Sequence, residues 1–355
     1  MSRVSGHALG RLIHTGQVLV DLALRVGALP ARGGDALARS HLIRPGGGFN
    51  VMAAARRDGA AVVYTGGHGR GPFGDLARAA LAAEGVALTA PPSPARDTGF
   101  SIALVDDAAE RTFVSAPGAE FDASPAALAQ AGAAPGDLVY VSGYSLANAA
   151  KWAALEAWLE RLDPAVPLLV DASPLVGELP RAALGYLAGR GPAGRPVVWS
   201  LNLREAVALA GRPDLWAGAA GAAGGAGLGA RLAAVLAPVA SLAGGEAGGA
   251  GANLAAALAL ALGGAVVLRL GAQGALVAPA APGPVAALPA HPVAAVDTNG
   301  AGDAHCGVVA AALLRGAPLV EAVARANVAA ALAAAQAGPG TAPTGAEIDA
   351  AIGLR

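Results

Sequence analysis

The residues best suited to chemistry lie in one stretch, Val296–Asp303, which reads VDTNGAGD. A helix-forming run, Ala304–Leu314, follows at once, so the end of the stretch is expected at the N-terminus of a helix. The first N–H groups of a helix have no intrahelical partner and lie at the positive end of its dipole, where an anion such as phosphate is stabilised. Gly300, Ala301 and Gly302 leave little side chain between those N–H groups and an anion. The stretch therefore predicts a phosphate-binding backbone.

Asp303 directly follows this predicted phosphate site. A carboxylate there is suited to accept the proton of an attacking hydroxyl group, so the sequence predicts phosphoryl transfer with Asp303 as the general base. The alternative is an ordinary loop with an acid in the first helical turn, where acidic side chains are favoured in any case. The chain has no P-loop string of glycine, lysine and serine or threonine, so phosphate binding is expected to depend on backbone N–H groups, arginines and a metal.

A second glycine-rich motif, PGGGFN, ends at Asn50. Gly47 and Gly48 allow the backbone close to a bound molecule, and the Asn50 amide offers both a donor and an acceptor, which suits a ligand with several hydroxyl groups. Upstream, the apolar run Gln17–Leu24 is predicted as the first strand of a sheet, with Asp21 near its end. A carboxylate at the carboxyl end of a sheet strand is well placed to bind a ligand hydroxyl group.

A third glycine motif, Gly69–Gly74, has the G-x-G-x-x-G spacing of dinucleotide-binding proteins. A dinucleotide site also needs an acidic residue about 20 residues on, at the end of the next strand. That strand is expected to end at Leu88, and Thr89 follows it. A NAD-dependent dehydrogenase is therefore disfavoured.

The DTNGAGD string resembles a signature of the ribokinase-like carbohydrate kinases, also called the phosphofructokinase-B family. The glycines before Asn50 resemble the family's other signature, and the NLRE string at Asn202–Glu205 resembles its N-x-x-E motif. The three motifs occur in the family's order, and the resemblance runs from about Gly16 to Ile352. It implies an ATP-dependent kinase that phosphorylates a hydroxyl group of a small sugar, with Asp303 as the base and the preceding backbone as an anion hole.

The resemblance also implies roles for further residues. The residues expected to hold the sugar are Asp21, Gly47, Gly48 and Asn50. The residues expected on the ATP side are Asn202, Arg269, Gly271, Gly274 and Asn327. Glu205 is expected to organise Mg²⁺ through water, and Asp297 is expected to contact a monovalent cation, K⁺, together with the loop at 338–341. The alternative for Asn202 and Glu205 is a capping box, because asparagine followed three residues later by glutamate is an ordinary helix start.

Strands alternate with helices throughout, so the predicted fold is a doubly wound α/β domain over 1–355, with a mostly parallel sheet flanked by helices. Alternating residues at about 96–115, joined by an acidic turn, predict a hairpin that forms a small separate sheet with about 21–45. In the hairpin, Glu110 and Arg111 are interpreted as a solvated cross-strand pair. In the family such a sheet is a lid that closes over the sugar and often pairs two subunits. A homodimer through the lid is therefore expected. The segment 216–252 is rich in glycine and alanine and is predicted as an insertion or mobile loop.

Composition limits the possible partners. The formal net charge of −1 gives no support for a nucleic-acid or anionic-membrane partner. A single cysteine, Cys306, excludes an intrachain disulfide, and no signal-peptide pattern is present, so a cytoplasmic setting is expected. Two alternatives to a sugar kinase stay open. One is a nucleoside kinase of the same family, which the aromatic content of 4% disfavours because base recognition uses stacking. The other is a non-catalytic sensor of a sugar or nucleotide.

Overall fold

The chain folds into alternating strands and helices. The computed structural model describes residues 10–107, 110–190, 194–212, 248–338 and 340–353. Most of the predicted insertion at 216–252 lies outside the described residues, but the part from Gly248 onward begins a helix, Gly248–Leu262, where the prediction had a loop. Alanine and leucine are strong helix formers, and they outweigh the glycines at the start of that helix.

In chain order the strands are β1 (Arg11–His14), β2 (Val18–Arg25), β3 (Ser40–Gly47), β4 (Ala61–Tyr64), β5 (Ala87–Leu88), β6 (Phe100–Val105), β7 (Arg111–Ala116), β8 (Leu138–Ser142), β9 (Leu168–Asp171), β10 (Val197–Asn202), β11 (Ala265–Arg269), β12 (Ala275–Ala278) and β13 (Ala286–Leu288). The helices are α1 (Gly48–Arg57), α2 (Pro72–Ala83), α3 (Pro125–Ala131), α4 (Gly143–Ala147), α5 (Ala149–Leu159), α6 (Arg181–Gly185), α7 (Leu203–Ala210), α8 (Gly248–Leu262), α9 (Ala301–Leu314), α10 (Leu319–Ala334) and α11 (Gly345–Ile352).

Within the described residues, nine strands form the main sheet in the order β13-β12-β11-β10-β9-β8-β1-β4-β5. The seven neighbouring strands β11, β10, β9, β8, β1, β4 and β5 pair in parallel. Strand β12 pairs antiparallel with β11, and β13 pairs antiparallel with β12. The strand order reverses on either side of β1, and in such a sheet ligands bind beyond the carboxyl ends of the strands near that point. The predicted fold class, a mostly parallel sheet flanked by helices with a small separate sheet, is confirmed.

The small sheet has four strands in the order β3-β2-β6-β7. Strand β2 pairs antiparallel with β3 and in parallel with β6, and β6 and β7 form the predicted hairpin. The strand predicted at Gln17–Leu24 is present as β2. That run belongs to the small sheet, and the main sheet begins with the four residues Arg11–His14, which are too few for a clear apolar pattern.

Helices cover both faces of the main sheet. One apolar cluster joins α3 and α5 to α8 with one face, and a second joins α1, α2 and α9 to α11 with the other. Helices α1 and α9 approach closely at Gly307, where a Cβ atom would lie 2.3 Å from the Val51 carbonyl oxygen and 2.7 Å from the Ala54 Cβ. A glycine at this crossing lets the two helices that carry Asn50 and Asp303 pack side by side.

Replacement of Gly307 by alanine is expected to destabilise the fold by about 1–3 kcal/mol, because the added methyl group must push α9 away from α1. The free energy of unfolding, measured by urea denaturation followed by circular dichroism, tests this. Gly185→Ala is the matched control, since Gly185 also lies in a helix but a Cβ there meets nothing within 4 Å. Equal stabilities of the two variants would show that the close approach at Gly307 carries no cost.

Among the helices that the structure describes, none combines the length and apolar character required to cross a membrane.

Candidate active site

A cavity of about 610 Å³ lies between the small sheet and the carboxyl ends of the main-sheet strands. The sequence-predicted residues in its lining come from three distant parts of the chain: Asp21, Gly47, Gly48, Asn50, Arg269, Glu205, Gly300, Gly302 and Asp303. Ala301 is the first residue of α9, beside this lining. The fold thus brings the two glycine motifs and the predicted base to one place.

Helix α9 opens onto the cavity with its N-terminus. Its N-cap residue, Gly300, has φ 80°, a left-handed conformation that favours glycine. The first intrahelical bond runs from the Ala304 N–H group to the Gly300 carbonyl oxygen at 2.8 Å. The N–H groups of Gly302 and Asp303 come before Ala304, so they are among the first N–H groups of the helix, which have no intrahelical acceptor. With 14 residues aligned behind it, this end of the helix is suited to an anion.

Asp303 stands in the first turn of α9 and is held by a side chain of the neighbouring helix α1. The Asn50 Nδ2 atom donates to its Oδ2 atom at 2.9 Å. Burial raises the pKa of Asp303 to about 7, although the bond from Asn50 opposes the shift. A carboxyl group with that pKa is poised to take up a proton near neutral pH, as a general base requires.

Asp21 lies in the middle of β2, and its side chain faces the cavity from the small sheet. The sequence predicted Asp21 near the end of its strand, whereas the residue lies in mid-strand, and its side chain lines the cavity. Burial raises the pKa of Asp21 to about 6. The neighbouring strand leaves room for this carboxylate only because position 46 is glycine: a Cβ atom on Gly46 would lie 1.9 Å from Asp21 Oδ2.

Polar side chains end three adjacent main strands at the floor of the cavity. Asp171 ends β9 and Arg269 ends β11, while Glu205 follows β10. The Arg269 Nη2 atom lies 3.7 Å from Asp171 Oδ1 and 3.5 Å from Glu205 Oε2, and Nη1 donates to the Gly302 carbonyl oxygen at 3.0 Å. A guanidinium group is therefore fixed between two carboxylates and the N-terminal turn of α9. Sequence reasoning did not select Asp171, although its place at the end of a buried strand was the available signal.

Asn202 and Glu205 form a capping box at the start of α7. The Glu205 N–H group donates to Asn202 Oδ1 at 2.9 Å, and the Asn202 N–H group donates to Glu205 Oε2 at 2.8 Å. The ordinary helix start that the sequence left open is therefore present. Burial raises the pKa of Glu205, while the charge of Arg269 opposes that shift.

The cavity floor offers carboxylate oxygens as donors for Mg²⁺. Among the described residues, no group of three or more histidine, cysteine, aspartate or glutamate side chains is arranged to hold a metal ion. Mg²⁺ in nucleotide sites keeps several waters and is bound mainly by phosphates with one or two carboxylates. Two carboxylates on the cavity floor, Glu205 and Asp171, lie beside the anion-binding end of α9 and fit that mode of binding.

The other nucleotide-side predictions lie outside the cavity lining. Gly271 and Gly274 form the turn between β11 and β12, with φ 58° and 90°. Asn327 on α10 is buried, and its Nδ2 atom donates to the carbonyl oxygens of Leu288 and Pro289 at 3.2 and 3.0 Å. The Asn327 side chain thus holds the loop after β13 in place. Its predicted ATP contact stays a prediction.

His14 supports the cavity floor, a role that sequence reasoning missed. Its ring stacks on Tyr140 with centroids 4.5 Å apart, and the Tyr140 hydroxyl donates to Asp171 Oδ2 at 3.1 Å. Burial lowers the pKa of His14 to about 3, so the ring is neutral and packs as a flat, uncharged platform beneath Gly48.

A second, open cavity of about 1250 Å³ lies at the other end of α1. The arginines of its lining are already paired: Arg315 and Arg325 bind Asp58, and Arg57 binds Glu84. With these cations satisfied, the described lining offers less for a charged substrate than the cavity at Asp303.

The chain is similar to carbohydrate kinases in sequence. A family model described as pfkB family carbohydrate kinase matches residues 11–220 and 248–345. The uncharacterized sugar kinase YegV of Escherichia coli (strain K12) is 32% identical over 335 residues, covering 94% of this chain and 91% of that protein.

Two solved structures share the fold. Ribokinase from Cryptococcus neoformans var. grubii serotype A, in complex with ADP, superposes with a TM-score of 0.73 at 20% identity, covering 97% of this chain and 99% of that one. An E. coli protein designated ribokinase II, in complex with ATP and Mg²⁺, superposes with a TM-score of 0.70 at 20% identity, covering 98% and 100%. At this identity the two structures establish the fold alone.

Proposed function

This chain belongs to the pfkB family of carbohydrate kinases, and we propose that it transfers the γ-phosphoryl group of ATP to a hydroxyl group of a small sugar, with Asp303 as the general base. The observation that carries the proposal is the bond from Asn50 to Asp303 at the N-terminus of α9, inside one cavity. A proton acceptor and an anion-stabilising backbone then act on the same reacting atoms.

In the proposed reaction the acceptor hydroxyl group lies against Asp303. Its oxygen attacks the γ-phosphorus of ATP, its proton passes to the Asp303 carboxylate, and ADP leaves. The backbone of Gly300, Ala301 and Gly302 shapes this anion hole, and the N–H groups of Gly302 and Asp303, which lack intrahelical partners, stabilise the negative charge on the transferred group. Positioning and electrostatics then supply most of the acceleration. Arg269, fixed next to Gly302, adds a positive charge on the same side.

The sugar is proposed to bind between the small sheet and α1. The Asn50 Oδ1 atom is buried and has no hydrogen-bond partner among the described residues, so it is an acceptor available to a ligand hydroxyl group. Asp21 faces the same space and accepts hydrogen bonds when it is ionised. With Gly47 and Gly48 beside them, these groups suit a ligand with several hydroxyl groups.

Asn202 and Glu205 are proposed to organise Mg²⁺ through water. The bound ion would supply charge neutralisation on the ATP phosphates. The ATP and Mg²⁺ present in the structure of the E. coli fold relative support this part of the proposal.

The small sheet is proposed to act as a lid that excludes water from the transferred group. Its outer face carries exposed apolar side chains, Ile43 at 46% and Val114 at 61% exposure, and we propose that this face pairs two copies of the chain. A cytoplasmic setting, where Mg-ATP is available, belongs to the same proposal.

A nucleoside kinase is the second candidate, because the lid side of the cavity is apolar. The apolar side chains that the small sheet contributes to the lining are Leu19, Ala23, Leu42, Phe100, Ala103, Phe113 and Ala116. None of these can bond to a hydroxyl group, so an acceptor with an apolar or aromatic substituent would bury that part there.

The experiment that tests the proposal is ADP formation from Mg-ATP across ketoses, aldoses, sugar acids, sugar phosphates and nucleosides. ADP that depends on a sugar supports the first candidate, and ADP that depends on a nucleoside supports the second. If no acceptor raises ADP above background while a sugar or nucleotide still raises the melting temperature, the chain is a sensor and the proposed catalysis is wrong.

A further inference from the structure

An ion pair joins the small sheet to the loop that precedes the anion-binding helix end. Arg111 begins β7, two residues before Phe113, whose side chain lines the cavity, so both side chains point toward the main sheet. The Arg111 Nη2 atom donates to Asp297 Oδ1, although the two residues are 186 positions apart. The two side chains are 30% and 18% exposed, so the pair is largely screened from water. The interpretation of Arg111 as the partner of Glu110 in a solvated pair was wrong.

Asp297 is the anchor of that loop. Its Oδ1 atom also accepts the Asn299 N–H group at 2.9 Å, and its Oδ2 atom accepts the Gly338 N–H group at 3.1 Å. Its own N–H group donates to the Ala334 carbonyl oxygen at 3.0 Å. Gly300 follows three residues later, so the position of Asp297 sets where the predicted anion hole begins.

These contacts do not fit the monovalent cation that the sequence analysis expected at Asp297. The carboxylate already has one cation, the guanidinium group of Arg111, and its two oxygens accept N–H groups from Asn299 and Gly338. A second cation within a few ångströms of the guanidinium group would be repelled by it. The site holds a positive charge that the chain itself supplies.

We propose that Arg111 stands in for a monovalent cation and is a positioning residue for the anion hole. It ties the lid to the loop before α9, so closure of the lid over a sugar and alignment of the Gly300–Gly302 backbone occur together. Kinase activity is then independent of K⁺. The expected effect on turnover rests on the proposed function. The expected effect on the loop before α9 rests on the Arg111–Asp297 contact alone.

The kinetic test compares turnover in potassium chloride with turnover in N-methylglucamine chloride at equal ionic strength. Wild-type turnover is expected to be the same in both salts. Arg111→Ala is expected to lose about 10-fold or more in kcat/KM, because even a small displacement of the anion hole lowers the rate of phosphoryl transfer. K⁺ is expected to restore part of this loss. Arg111→Lys, which keeps the charge, is expected to lose less. Arg39→Ala is the matched control, since Arg39 precedes β3 and forms an exposed pair with Asp107, which follows β6, and this variant is expected to match the wild type.

A second readout does not need an acceptor. The melting temperature of the wild type is expected to be the same in the two salts, whereas K⁺ is expected to raise that of Arg111→Ala, because a ligand that binds only the folded state stabilises it. Activation or stabilisation of the wild type by K⁺, or an Arg111→Ala variant indistinguishable from Arg39→Ala, would overturn the inference. If the Arg111 inference fails in this way but Asp303→Asn still loses activity, the proposed function is retained. If no acceptor is phosphorylated at all, the proposed function fails, and the melting temperatures still decide the role of Arg111.

Discussion

Replacement of Asp303 by asparagine is expected to lower kcat about 10²- to 10⁴-fold, the range for a lost general base. Asparagine has nearly the same size, and its amide oxygen can still accept the bond from Asn50, but it cannot take the proton of the acceptor hydroxyl group. Binding of nucleotide and sugar, measured by titration calorimetry, is expected to change little. The rate is measured at saturating Mg-ATP and acceptor.

Asp75→Asn is the matched control for this variant. Asp75 also lies in the first turn of a helix, α2, but its side chain is 71% exposed and pairs with Arg78 away from the cavity. Its kcat is expected to equal that of the wild type. Unchanged turnover in Asp303→Asn would remove the general-base assignment.

The raised pKa of Asp303 also gives the direction of a stability effect. The folded state binds the proton more tightly than the unfolded chain does, since the pKa of Asp303 is about 7 against an ordinary value of 3.8. Its contribution to stability is therefore complete below about pH 4 and is lost as the pH rises toward 7. Asp303→Asn is expected to gain melting temperature relative to the wild type across that range, and a difference that does not vary with pH would contradict the assigned pKa. In the wild type, kcat/KM is expected to rise with pH through an apparent pKa of about 7.

Replacement of Arg269 by methionine is expected to lower the free energy of unfolding by about 3 kcal/mol or more, because it leaves buried carboxylates without their cation. Asp171 and Glu205 are only 12% and 6% exposed at their side chains. The loss is expected to be greater at pH 8 than at pH 5, since protonation relieves an unpaired carboxylate. Urea denaturation at the two pH values measures it, and turnover is expected to fall as well, because Arg269 also binds the Gly302 carbonyl oxygen.

Arg39→Met provides the control for the removal of an arginine as such. The Arg39–Asp107 pair is 65% and 59% exposed, and exposed pairs contribute about 1 kcal/mol or less. Arg269→Met with the same stability as Arg39→Met would mean that the charges around Arg269 are solvated and need no partner.

Local patterns were enough to predict the helix start at Gly300, the glycine turn before Asn50 and the alternation of strands and helices. Each depends on neighbouring residues: glycine for a left-handed backbone, and apolar runs for strands buried on both faces. Strand β1 was missed because it has only four residues and includes His14, a polar type whose burial depends on the stacking partner Tyr140. Because β1 was missed, the run that forms β2 was taken as the first strand of the chain.

The pairs that hold the site together could not be read from the sequence, because they join distant parts of the chain. Asn50 and Asp303 are 253 residues apart, and Arg111 and Asp297 are 186 apart. Nothing local distinguishes Arg111 from an arginine in a solvated hairpin. The capping box at Asn202, in contrast, joins residues only three positions apart, and the local pattern predicted this helix start. The expected Mg²⁺ contact stays a prediction.

The most direct test of the central claim is to follow the γ-phosphoryl group itself, by phosphorus NMR of the products formed from Mg-ATP and the best acceptor of the panel. The account predicts a phosphate monoester on the acceptor, formed in step with ADP by the wild type and nearly absent with Asp303→Asn. Inorganic phosphate as the main product, or the same ester formed equally fast by both proteins, would contradict it.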